Sequence, residues 1–252
     1  MRVLLYVIIR IKGGGKLGIG NPAVGKGARE QNKVKGDFMA SSIVHLAITN
    51  ELAKRVSFTD TSRLKFGAVV VDAGEGGNIT GESHMKVNVM DGKKRTYDFD
   101  KYREMFGNLM LTDDLYMGYY LHLVQDSLYR HFVYDIYHWN PTIPGNVERL
   151  HKDYQIVNQY IIHKYGLTND IVVPDGFKDE PINLICSFNT ERLIDNMNAF
   201  FMPVEDESIF FFTKEMSDEF IEEAVKYCVE EVGKIRNGEQ GIDKLTYAWN
   251  RG

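Results

Sequence analysis

The stretch YMGYYLHLVQDSLYRHF, Tyr116 to Phe132, decides the fold. It is apolar or aromatic nearly throughout and reads as one helix, capped at Thr112 or Asp113. Within it His122 and Asp126 stand four residues apart, one turn from each other on one face. A polar pair in an apolar setting is costly unless it is satisfied. The two side chains therefore satisfy each other or hold something between them.

Outward from this helix, the 3.6-residue period dominates from Ser41 onward. Ser41 or Ser42 caps a helix through about Val56, and RLKFGAVVVDAG predicts a buried helix ending near Asp72. A Gly-rich loop carrying His84 follows, down to about Thr96. DFDKYREMFGNLM predicts a short helix. NVERLHKDYQIVNQYIIHKYG is amphipathic and ends at Gly166, placed as a C-cap glycine. NTERLIDNMNAFF and SDEFIEEAVKYCVEEVGKI complete the chain. Few segments alternate as strands do, so the expected fold class is all-α, with residues 39–252 as a single helical domain without internal repeats.

Residues 1–38 differ in composition from the rest. They hold eight glycines and eight basic against two acidic residues, a net +6, so the remainder carries −11 of the total −5. The apolar run Val3 to Ile9 is short for a signal peptide, and no small-residue cleavage site follows closely. GNPAVGKG matches the first part of a phosphate-binding loop, but Gly27 stands where Ser or Thr should ligate Mg²⁺. A third reading is that KGDFM can be encoded with AAGGAG a few bases before an ATG, as a bacterial ribosome-binding site would be. On that reading Met39 is the start, and residues 1–38 are an extension outside the fold.

The bulk numbers exclude several classes. No stretch approaches the ~20 apolar residues of a membrane-spanning helix. Two distant cysteines, Cys186 and Cys228, form no disulfide framework, which fits a reducing, cytoplasmic setting. Cys228 reads as core. An acidic body of −11 argues against nucleic acid as a partner, since such binding rests on neutralising phosphates. Oligomeric state is not legible.

Seven histidines occur, at 45, 84, 122, 131, 138, 151 and 163. His45 follows SSIV on the buried side of the first helix, Asp72 ends the apolar run FGAVVV, and His84 lies in GESHM. Together with His122 and Asp126 they suggest a metal site. Zinc takes imidazole nitrogen and carboxylate oxygen, and His-x₃-Asp on a helix supplies both. Paired metals suit the hydrolysis of phosphate esters. The chain has no HExxH, no His-Asp dipeptide, no GxSxG and no complete Walker motif. His138 and His163 read as structural, and the aromatic run Phe210 to Phe212 reads as core.

In order, SSIVHLAITNELAK, FGAVVVDAG, SHM and GYYLHLVQDSLY resemble the zinc-dependent phospholipase C family, in particular a small bacterial branch without a secretion signal. The likeness covers most of residues 39–165. It implies an all-α fold shared with P1-type nucleases, with zinc ions in a cleft between helices. It also implies His45, His84, His122 and Asp126 as metal ligands, with Asp126 bridging two ions, and Asp72 as ligand and general base. The substrate implied is a small phosphodiester or a phospholipid head group.

The departures bear on the last ligands. The N-terminal tryptophan ligand of secreted members has no counterpart here. Phe132 stands where a further ligand is expected, and His131 is one position short, pointing away from Asp126. The final pair would begin at His151, but Gln155 takes the second place and Asp153 is the available substitute. Two zinc ions are expected, with three as the alternative. The other readings are a P1-like nuclease, or a non-catalytic helical binding protein with a degenerate site.

Overall fold

The computed structural model describes residues 40–75, 82–205 and 208–250, and the reading of residues 1–38 lies outside them. Helix α1 spans Ser42–Ala53, with Ser41 as its N-cap, its side chain accepting from the Val44 amide. Helix α2 spans Thr61–Val70 and tightens into a 3₁₀ turn, Val71–Ala73. Its N-cap is Asp60, whose carboxylate accepts from the amides of Ser62 and Arg63, both at 3.0 Å.

Helices α3, Phe99–Thr112, and α4, Asp114–Arg130, are separated by Asp113 alone. Asp113 caps α4 by accepting from the Leu115 amide at 3.0 Å and also receives the Arg63 guanidinium. A π-helical turn, His131–Ile136, continues α4. Then come α5, Asn146–Lys164, α6, Thr190–Phe200, and α7, Lys214–Arg236. The structure is mostly helical, as expected, and no described helix is long and apolar enough to cross a membrane.

Helix α4 lies at the centre, against α2, α3 and α7. All of its residues except Leu128 and Arg130 are buried. A helix buried on every side has no solvent face on which to place polar groups, so His122, Gln125 and Asp126 must find partners inside.

Helices α2 and α4 run side by side in one register. Asp60 donates its amide to Asp114 Oδ2 at 2.6 Å, and Ala68 faces His122, each contact spanning 54 residues. Between these levels the backbones nearly touch. A Cβ on Gly67 would fall 2.1 Å from the Leu115 carbonyl oxygen, and one on Gly118 would fall 2.2 Å from that of Leu64. Only residues without a side chain allow this approach. Asp72 and Asp126, one turn beyond the Ala68 and His122 level, are the next pair in the same register.

One expected segment differs. The loop expected to run past His84 to Thr96 is instead a β-hairpin, with β1, Lys86–Val89, antiparallel to β2, Lys94–Tyr97. A short β3, Trp249–Asn250, pairs with β2 and completes a three-stranded sheet in the order β1-β2-β3. The turn uses positive φ at Met90, Asp91 and Gly92, which matches the right-handed twist of the strands. The hairpin matters to the centre because it starts two residues after His84.

Candidate metal centre

Four segments deliver five side chains to one place: α1 gives His45, the turn after α2 gives Asp72, the segment before β1 gives His84, and α4 gives His122 and Asp126. The three histidines and Asp126 are fully buried, and Asp72 is 21% exposed. Asp72 therefore marks the solvent side.

Each imidazole is held from behind at Nδ1. His122 Nδ1 lies 2.8 Å from the Ala68 carbonyl oxygen, which can only accept, so Nδ1 carries the proton. His45 Nδ1 lies 2.8 Å from Gln125 Oε1, and His84 Nδ1 lies 3.1 Å from Ser83 Oγ. The Ser83 carbonyl in turn accepts from the Tyr119 hydroxyl. The rings of His45 and His122 stack at 3.9 Å between centroids. All three Nε2 atoms face the interior of the cluster.

His84 Nε2 and His122 Nε2 are 3.2 Å apart, and Asp126 Oδ2 lies 3.4 Å from the first and 3.5 Å from the second. Three ligands at zinc–nitrogen and zinc–oxygen distances of ~2.0–2.2 Å in a tetrahedral arrangement stand about 3.3–3.6 Å from one another. The triangle has that size. Asp72 Oδ1 adds a second triangle on the same histidine edge, at 3.6 Å from His84 Nε2 and 3.8 Å from His122 Nε2. Asp126 Oδ1 faces the other way, 3.3 Å from His45 Nε2. Among the described residues two sets meet the spacing required to hold a metal ion, His45 with Asp72 and His122, and His84 with His122 and Asp126.

The electrostatics call for a proton or a metal ion between these groups. His45 Nε2 and both carboxylate oxygens of Asp126 are buried without a hydrogen-bond partner among the described residues. A buried carboxylate facing nitrogen lone pairs is unfavourable unless a proton or a metal lies between them. For Asp126, burial works against ionisation, but His122 and His45 outweigh it and hold the carboxyl well below the usual range. Asp72 is likewise lowered, its desolvation outweighed by His122 and His84. His122 is raised, because Asp126 and Asp72 overcome the effect of burial, whereas burial prevails at His84 and pushes it down. A set of two ionised carboxylates and Nε2-directed imidazoles fits zinc.

Two proposed ligands lie elsewhere. Asp153 is buried on α5, but its carboxylate accepts the amides of Phe210, Phe211 and Phe212 at 2.8, 2.6 and 2.9 Å. It anchors a loop and is not in the metal-spaced sets. His151 is exposed, near Tyr154, and outside them too. His131 pairs with Asp135 at 2.9 Å on the surface. Phe212 is fully buried, in line with a core reading, while Phe210 is half exposed.

Besides Ser83, three contributors were not anticipated from sequence. Gln125 precedes Asp126 and backs His45, the Ala68 carbonyl backs His122, and Ser42 donates to Asp72 Oδ2 at 2.8 Å. A backbone acceptor leaves no trace in residue type. Gln125 did offer a signal, as an amide-bearing polar residue beside Asp126 inside a helix otherwise built for burial.

No protein-family model, curated protein or solved structure matches the chain.

Proposed function

We propose that this protein is a zinc-dependent hydrolase of phosphate diesters. The observation that carries the reading is the buried His84–His122–Asp126 triangle with an ionised carboxylate, Asp72, beside it on the solvent side. Three protein ligands leave a fourth position for water or substrate, the pattern of catalytic rather than structural zinc. Zinc held there supplies Lewis acidity toward a phosphoryl oxygen and lowers the pKa of water toward neutrality. His84, His122 and Asp126 would hold the ion, and the Ala68 carbonyl fixes the His122 ring that would point at it.

Asp72 is suited to take a proton from attacking water. It is ionised, it is oriented by the Ser42 hydroxyl through Oδ2, and its Oδ1 faces the two imidazoles. The resemblance to zinc-dependent phospholipase C points to a phosphodiester or phospholipid head group as substrate. The acidic composition opposes a long polyanionic strand, which ranks a P1-like nuclease second. A cytoplasmic location belongs to the same reading.

The test is hydrolysis by zinc-loaded protein of a bis-aryl phosphodiester and a phosphocholine ester, beside single-stranded DNA. The expected order is the small diesters ahead of DNA, with Asp72→Asn abolishing turnover while zinc stays bound at the His84–His122–Asp126 triangle. Faster cleavage of DNA would favour the nuclease. Bound zinc with no turnover of any of the three would favour a binding protein that keeps the fold.

A further inference from the structure

The His45 ring is clamped between consecutive residues of α4. Its Nδ1 lies 2.8 Å from Gln125 Oε1, and its Nε2 lies 3.3 Å from Asp126 Oδ1. Gln125 is fully buried, and its amide nitrogen reaches Cys228 Sγ on α7 at 3.9 Å. The amide thus turns its nitrogen toward the sulfur and its Oε1 toward the imidazole. We infer that Gln125 is a positioning residue that fixes the tautomer of His45 and so makes its Nε2 available to a metal ion.

The chemistry turns on amide orientation. With Oε1 toward the ring, Nδ1 donates and Nε2 presents a lone pair beside Asp126 Oδ1. With the amide reversed, Nδ1 would accept, and Nε2–H would point at Asp126 Oδ1. That hydrogen bond would close both atoms to a cation. His122 has no such choice, because its partner is a backbone carbonyl. Gln125 therefore acts on the His45 corner of the cluster, whose Nε2 faces Asp126 Oδ1 and falls in the set with Asp72 and His122, while His84 and His122 meet at Oδ2. Outer partners of ligating histidines typically contribute ~10–100-fold in metal affinity.

The inference rests on the metal reading of the cluster, and the test separates the two. Zinc affinity is measured by competition with a chromophoric chelator for the full chain, Gln125→Met, Gln125→Glu and His45→Ala, with melting of the metal-free proteins alongside. Gln125→Met keeps length and removes the acceptor. It should weaken zinc at the His45 end by about 10–100-fold with little change in metal-free melting, and Gln125→Glu, which restores an acceptor, should recover it. Unaltered affinity in Gln125→Met overturns the inference. Absence of zinc binding in the unsubstituted protein, or no effect of His45→Ala, overturns instead the reading beneath it. Should Gln125→Met fail to fold, ¹⁵N-histidine spectra of the zinc-loaded unsubstituted protein decide the matter. A proton on His45 Nδ1 with Nε2 metal-bound supports the inference, and a proton on Nε2 or metal on Nδ1 refutes it.

Discussion

His84 Nε2 and His122 Nε2 stand 3.2 Å apart, each on a buried ring held from behind at Nδ1. His122 is pinned by the Ala68 carbonyl, and His84 is held at Ser83. Two nitrogens held nose to nose beside an ionised carboxylate describe a place for a cation. Removing the carboxylate charge should then be felt by the metal more than by the fold. In Asp126→Asn, zinc affinity measured by chelator competition should fall by more than the ~10–100-fold of an outer partner. The metal-free protein should still fold, because neither oxygen of Asp126 has a hydrogen-bond partner to lose among the described residues, and its loss of stability should be confined to the attraction between the carboxylate and a protonated His122 or His45.

The close crossing of α2 and α4 sets the position of His122. Gly67→Ala and Gly118→Ala place a methyl group within 2.1 and 2.2 Å of a facing carbonyl oxygen. Either substitution forces the helices apart. Each should cost about 1–3 kcal/mol of stability in urea unfolding of the metal-free protein. Each should also weaken zinc, because the separation draws the Ala68 carbonyl from the His122 ring. Alanine at Gly107, where an added Cβ meets nothing within 4 Å, is the control and should stabilise α3 slightly.

Above pH ~6.5 the dependence of stability on pH should differ with and without zinc. Burial lowers the His84 pKa, so between its folded value and the ordinary ~6.5 the unfolded chain binds more protons, and stability rises with pH. At His122 burial is outweighed by Asp126 and Asp72, and the folded pKa is raised. Its contribution is fully present below ~6.5 and is lost as pH rises through the folded value. As far as these two groups act, metal-free protein should be most stable near pH ~6.5 and weaken above it. With zinc in excess the decline above that pH should vanish, since the ion replaces the proton. Urea midpoints from pH 5 to 9, with and without zinc, check both slopes.

Asp153 offers the contrasting case of a buried carboxylate with a structural role. Asp153→Ala leaves the amides of Phe210, Phe211 and Phe212 without their acceptor. A loss of about 1–3 kcal/mol is expected, the penalty of an unsatisfied buried donor, with zinc content unchanged. His151→Ala should alter neither quantity. Loss of zinc from either variant would return the α5 pair to the ligand set.

Much of this was legible in the sequence because the responsible forces are local. The 3.6-residue period gave the helices, Ser41 and Asp113 act as caps, and the His122 to Asp126 spacing placed both groups on one face. His45, Asp72 and His84 were singled out as charge or imidazole in apolar surroundings, and the fold brings them together with that pair. The hairpin at 86–97 was missed because Met90-Asp91-Gly92 lies in a polar segment whose strands alternate weakly. The Asp-Gly pair is a turn signal that could have found it. Asp153 was misplaced because its partners are backbone amides 57 to 59 residues away, which no residue pattern announces. The matched steps of α2 and α4, from Asp60 and Asp114 to Ala68 and His122, are likewise tertiary.

The most direct test of the centre is elemental analysis of the full chain, purified without added metal or chelator, beside Asp126→Asn purified identically. The expected result is one to two equivalents of zinc in the unsubstituted protein and a loss of at least one in the variant. Metal-free protein given zinc should also melt higher, by an amount equivalent to ~2.7 kcal/mol when free zinc is 100 times its dissociation constant. No bound metal, together with no rise in melting temperature on adding zinc, would contradict the assignment of His45, Asp72, His84, His122 and Asp126 to a metal centre.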